Sequence, residues 1–305
     1  MRTRSALFLL LFLLALPVVA RQASHDHEET LERFMVLLRQ DLKDRRNAAL
    51  RGVLKLDTQQ IRDFAPLQTA YDEELAGIDD DRRELLEDFI ATHDNLTAVR
   101  AESLADRFFR LEKRGIGLHE KYFRRISDQV STVTAVQFLQ LQRQYEMLGA
   151  VKLSSRTPIA SDGTADGASQ TEILDRYLET MKKNINASRD RALAEVVRLD
   201  GEPAKTFQSI KKEYDKEVAG QRKARSKLLA EYSQVYKELT PEIADSLAAR
   251  VLAQDNDRIQ LREKTLQRMS REISAVVAVQ FLQVQYRFET MADLKAASYV
   301  PIAGM

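Results

Sequence analysis

The stretch Ala135-Val136-Gln137-Phe138-Leu139-Gln140-Leu141-Gln142 returns 143 residues later as Ala278-Val279-Gln280-Phe281-Leu282-Gln283-Val284-Gln285. No gap is needed, and both copies run on to the same tripeptide, Pro158-Ile159-Ala160 and Pro301-Ile302-Ala303. At the same spacing Tyr71-Asp72 meets Tyr214-Asp215, Phe64 meets Phe207, Arg82 meets Arg225, Glu146 meets Glu289 and Arg46 meets Arg189. A tandem duplication accounts for matches of this length and register. Between the copies lies Ser161-Asp162-Gly163-Thr164-Ala165-Asp166-Gly167-Ala168-Ser169-Gln170, small and polar throughout, which is linker chemistry.

Within each copy the apolar spacing is helical. Ile61, Phe64, Tyr71, Leu75, Ile78, Leu85 and Phe89 fall three or four apart, as do Leu104, Phe108, Leu111, Leu118 and Tyr122. Thr97 before Ala98, and Thr240-Pro241-Glu242, supply an N-cap, a first-turn proline and an acid that suits the helix dipole. Asp57 and Asp200 are expected to cap the preceding long helices. The spacing predicts, in the first copy, helices over about 29–53, 58–93, 98–128 and 131–152, followed by an extended Pro-Ile-Ala tail. The expected fold is all-α, two tandem copies of a four-helix unit with long amphipathic helices. The expected divisions are a signal peptide (1–20), a first helical repeat (21–160), a linker (161–170) and a second repeat (171–305).

Composition agrees. Ten glycines, six prolines and 7% aromatics in 305 residues are few for a chain of many turns and short strands. Zero cysteines excludes disulfides, thiolate metal sites, cysteine nucleophiles and a lipid-modified cysteine. Lys plus Arg number 47 against 46 Asp plus Glu, so no global field draws nucleic acid or an anionic membrane.

Arg2 and Arg4 precede an apolar run from Ala6 to Leu16, and Val18-Val19-Ala20 ends it with small residues a signal peptidase accepts. Cleavage after Ala20 is expected, leaving no integral membrane span and a periplasmic chain with 45 basic and 46 acidic groups.

Candidate chemistry is sparse. His25-Asp26-His27-Glu28-Glu29 has the ligand types of a divalent-metal site, but solvated terminal residues of this kind are usually unstructured. His93 and His119 are matched by Tyr236 and Arg262, so neither is a duplicated ligand. Asp79-Asp80-Asp81 lacks the glycine and closing glutamate of a calcium loop, and its counterpart is Arg222-Lys223-Ala224, which points to a solvated helix face. No nucleophile elbow, phosphate loop or HExxH pair is present, so no catalytic residue, cofactor or enzyme activity is expected. Arg82 falls beside the apolar stripe and needs a carboxylate partner, for which Glu146 is the candidate. Phe108 with Phe109, and Tyr122 with Phe123, make the apolar face wider than one partner helix covers. They are core residues shared among the helices, or candidates for a polypeptide-binding face.

At Leu56-Asp57-Thr58-Gln59-Gln60, Leu96-Thr97-Ala98-Val99-Arg100 and Leu239-Thr240-Pro241-Glu242-Ile243 the chain resembles the LTxxQ motif of the Spy/CpxP family of periplasmic helical proteins. The sequence departs from it with Asp57 for Thr, with Arg100 and Ile243 for the final Gln, and with only the leucine kept in Leu199-Asp200-Gly201-Glu202-Pro203. The resemblance implies an ATP-independent chaperone or envelope-stress adaptor that binds unfolded or envelope polypeptides. It also raises the expectation that one chain supplies both halves of a dimeric cradle, the other arrangement being two bundles on a tether. The rival expectations are a metal-responsive sensor or buffer using His25 and His27, and a structural subunit with a dedicated envelope partner.

Overall fold

The computed structural model describes residues 42–154, 184–297, 300 and 303. The expected signal peptide, His25, His27, the linker over 161–170 and the first Pro-Ile-Ala tripeptide lie outside these residues. Helices α1 (Leu42–Val53), α2 (Thr58–Thr92), α3 (Ala98–Gln129) and α4 (Thr132–Ser154) come from the first copy. Helices α5 (Ile185–Val196), α6 (Gly201–Val235), α7 (Pro241–Glu272) and α8 (Ala275–Ala297) come from the second. No strand occurs among the described residues, so the fold class is all-α.

The helix starts follow from local chemistry. Asp57 accepts from the Gln60 amide at 2.8 Å while the Gln60 side chain accepts from the Asp57 amide at 3.1 Å, a complete capping box on α2. Thr97 accepts from the Arg100 amide at 3.3 Å and Thr240 from the Ile243 amide at 3.4 Å, starting α3 and α7. Asp200 stands at the N-cap of α6 but its side chain makes no capping bond. This corrects the expectation, and the reason is local: Pro203 stands where α2 has Gln60, and proline offers neither the third-residue N–H that the cap would accept from nor a side chain that reaches back to it.

At 35 residues each, α2 and α6 are about 50 Å long. Each pairs with the next helix, α2 with α3 and α6 with α7, and α4 and α8 pack on α3 and α7 in turn. The same aromatic packing recurs in both copies. Tyr71 meets Phe138 edge-on at 5.0 Å and Tyr214 meets Phe281 at 5.2 Å, with Phe64 and Phe207 against the same two rings at 5.7 and 5.9 Å.

The copies do not sit apart on a tether. Helices α3 and α4 pack on α7 and α8, and the two large hydrophobic cores each draw on both copies, while a small cluster of Phe89 and Leu104 belongs to the first copy alone. One core joins side chains of α5 to α8 with Ala101, Ala105 and Phe109 of α3 and Leu148 and Val151 of α4. The other joins side chains of α1 to α4 with Leu228 and Tyr232 of α6 and Ala244, Leu247 and Ala248 of α7. The start of α3 therefore lies in the second copy's core and the start of α7 in the first's. This pooling explains the width of the apolar face at Phe108 and Phe109, which the second copy covers.

Candidate functional site

Polar side chains come together in a charged layer between the helices, at the tips of the α2–α3 and α6–α7 hairpins, and in the related ion pairs Arg46–Asp72 and Arg189–Asp215 that tie α1 to α2 and α5 to α6.

In the charged layer, α4 and α8 each carry an acid that faces the preceding helices. Glu146 receives the Tyr71 hydroxyl at 3.3 Å and lies 3.0 Å from His119 Nε2. At the related positions Glu289 receives the Tyr214 hydroxyl at 2.6 Å and Arg262 at 2.5 and 3.1 Å. Histidine and arginine thus fill one structural role in the two copies, which the mismatch of His119 with Arg262 concealed. Burial alone raises both carboxyls, yet His119, Arg82 and Arg143 around Glu146, and Arg262 and Arg258 around Glu289, hold them below the usual glutamate range.

The expected Arg82–Glu146 ion pair is not formed. Arg82 bonds Asp79 at 3.0 Å and stands 3.8 Å from Glu112, with Glu146 acting on it only through space. The reason is helix geometry: Arg82 on α2 faces α3, which carries Glu112, whereas Glu146 on α4 is taken up by Tyr71 and His119. Gly115 gives the guanidinium its room, since a Cβ there would come within 3.3 Å of Arg82 Nη2.

Between the copies the layer is asymmetric. Arg143 of α4 grips Asp255 of α7, with one N–H···O contact at 2.9 Å, and Arg225 adds a contact at 3.3 Å. Burial pushes the Asp255 carboxyl up, but Arg143, Arg225 and Arg258 outweigh it and hold it at about 2. The related positions are Tyr286 and Glu112. A tyrosine there brings no charge, so burial dominates and Glu112 is raised despite Arg82 and Arg262. Tyr286 instead stacks edge-on with Phe108 at 5.1 Å and lies 5.1 Å from the Arg262 guanidinium, a cation–π contact.

At the tips the same ion pair appears twice, Arg107 with Asp88 and Arg250 with Glu231 at 2.5 Å. Apolar side chains beside these pairs face outward: Val99 is 80% exposed, Ile90 43% and Ile243 37%. At the second tip Ile243 lines a shallow cleft of about 360 Å³ together with Val235, Leu247, Glu231, Glu242 and Arg250.

Of the residues singled out in the sequence, Phe109, Tyr122 and Phe123 are buried, and Phe108 is partly buried against Phe109 and Tyr286. They do not form an exposed polypeptide-binding face, because helices of the other copy cover Phe108 and Phe109, and the Tyr71 ring packs on Tyr122. His93 bonds the Ile90 carbonyl at 2.7 Å at the end of α2. The three aspartates pair with Arg82, Arg83 and Arg114. No group of three metal-ligating side chains occurs among the described residues. No helix among them is long and apolar enough to cross a membrane. The sequence reading missed the acids Glu112 and Asp255, although an acid kept at one offset in both copies is a legible signal. It missed the tip residues because nothing in a helix-start motif says that the side chain after the cap lacks a neighbour. Searches of protein-family profiles, curated proteins and solved structures find no match to this chain.

Proposed function

We propose that the protein is a periplasmic polypeptide-binding protein that acts without nucleotide, as a chaperone or as an adaptor to an envelope-stress system of the Spy/CpxP kind. The observation that carries this reading is the pair of hairpin tips, where Val99, Ile90 and Ile243 are exposed beside exchangeable Arg–carboxylate pairs. Shallow apolar surface edged by both signs of charge suits weak, promiscuous contact with unfolded or amphipathic segments, and gives little purchase to a small molecule. The leader-type N-terminus supports the compartment. The Leu-Thr helix starts support the likeness in layout, with Thr97 and Thr240 serving as N-caps.

A cysteine-free chain makes the test simple, because a single introduced thiol is unique. A benzophenone attached to the Val99→Cys variant of the mature chain, residues 21–305, is expected to photocrosslink to a chemically unfolded client in buffer free of ATP. The same probe on an exposed polar site such as Glu202→Cys is the control. Equal crosslinking from both positions would remove the tips as the binding surface.

A further inference from the structure

The C-terminal tail is held in an unusual way. Gln137 Nε2 donates to the Ala303 carbonyl at 2.7 Å, and the Ala303 amide donates to Gln140 Oε1 at 3.1 Å. Two side-chain amides one turn apart on α4 thus take both main-chain polar atoms of a single residue, which lies in a turn rather than in a helix. Gln140 Oε1 is fixed in place by a second donor, the Tyr232 hydroxyl of α6, at 3.3 Å. Ala303 is fully buried, and Val300 packs against the same core. The tail leaves α8 of the second copy and is received by α4 of the first, so it occupies a place built by other elements. Nothing in the grip depends on the side chain of the bound residue except that it be small.

We propose that Gln137, Gln140 and Tyr232 form a clamp for a non-helical polypeptide segment carrying a small residue preceded by an apolar one, and that the chain's own segment at Val300 and Ala303 is its resident, displaceable occupant. The ligand chemistry is read from that occupant. Two amides matched to one N–H and one C=O recognise main chain in any sequence, and the enclosed Cβ admits alanine, glycine or serine while excluding larger residues. Val300, three residues before Ala303 and packed on the same core, supplies an apolar neighbour. A helical client has its N–H and C=O groups already paired and cannot offer them, so the clamp selects unfolded segments. The inference rests on the polypeptide-binding reading and adds to it a site and a regulation: the tail competes with clients for the clamp.

The test uses the full mature chain carrying Ala303→Glu, whose longer charged side chain cannot occupy the enclosed position and should expel the tail. A fluorescein-labelled peptide of sequence Ser-Tyr-Val-Pro-Ile-Ala-Gly-Met is titrated and followed by anisotropy. The expected result is binding at least ten-fold tighter to Ala303→Glu than to the unsubstituted chain. That gain should be lost when Gln137→Leu and Gln140→Leu are added, and lost for a peptide with Trp in place of its Ala. Equal binding to the substituted and unsubstituted chains, or binding indifferent to the two glutamines, overturns the clamp. Loss of helical circular dichroism in Ala303→Glu overturns it as well, because it would make the tail a fixed part of the core. Suppression of client aggregation is measured on the same variants. Suppression without clamp-dependent peptide binding leaves the general reading standing and the clamp refuted, whereas absence of suppression with clamp-dependent binding refutes the chaperone reading alone.

Discussion

At the scale of single residues, charge asymmetry between two related positions makes the sharpest expectations. Asp255 is enclosed by Arg143 and Arg225, so Asp255→Ala leaves two mostly buried cations without their partner and should cost about 3–5 kcal/mol in urea unfolding. A loss under 1 kcal/mol would mean that solvent reaches the pair. The acid limb of stability has a defined sign. Asp255 titrates at about 2 in the folded chain against an unfolded value near 4, so its contribution is complete above about pH 4 and disappears as the pH falls to about 2. Glu146 and Glu289, also lowered, act in the same direction. Glu112 acts oppositely: its carboxyl is raised, so its ionised form weakens the fold at neutral pH, and the penalty vanishes once the pH is low enough to protonate it in both states. Glu112→Gln should therefore raise the urea midpoint at pH 7 and lose that advantage below about pH 4. A midpoint lowered at pH 7 would show that the Arg82–Glu112 attraction outweighs the burial cost.

At the scale of elements, the helix boundaries were largely legible and the helix partners were not. Expected spans of 58–93, 98–128 and 131–152 compare with Thr58–Thr92, Ala98–Gln129 and Thr132–Ser154, because capping side chains and three-four spacing are local properties of the chain. The partner of Arg82 is not local. It depends on which face α2 turns to α3, and that is set by packing over both copies. The aromatics failed for the same reason: the apolar surplus around Phe108 and Phe109 is real, but a second copy stands on it. The caps give a paired test. Asp57→Ala removes a two-way capping box and should cost about 1 kcal/mol, while Asp200→Ala at the related start of α6 should cost only a few tenths, since its side chain caps nothing. Equal losses in thermal or urea unfolding would contradict the difference between the two starts.

At the scale of the whole molecule, duplication has produced one interlocked body with two related hairpin tips. Each tip is anchored in the core of the opposite copy, which holds α3 and α7 in place while leaving Val99 and Ile243 outside. Exposed apolar groups on so extensive a scaffold carry little of its stability, and replacing them should separate function from folding. This separation was beyond the reach of the sequence, where Val99 and Ile243 stand inside helix-start motifs and look no different from core positions. The most direct measurement is light scattering of a chemically unfolded, aggregating client with stoichiometric mature protein, residues 21–305, in buffer free of ATP, comparing the unsubstituted chain with the Val99→Glu, Ile243→Glu double variant. The account predicts suppression by the unsubstituted chain and at least a several-fold loss of it in the variant, with the urea midpoint unchanged. No suppression at several-fold excess of the unsubstituted chain would contradict the polypeptide-binding reading, and full suppression by the variant would contradict its assignment to the tips.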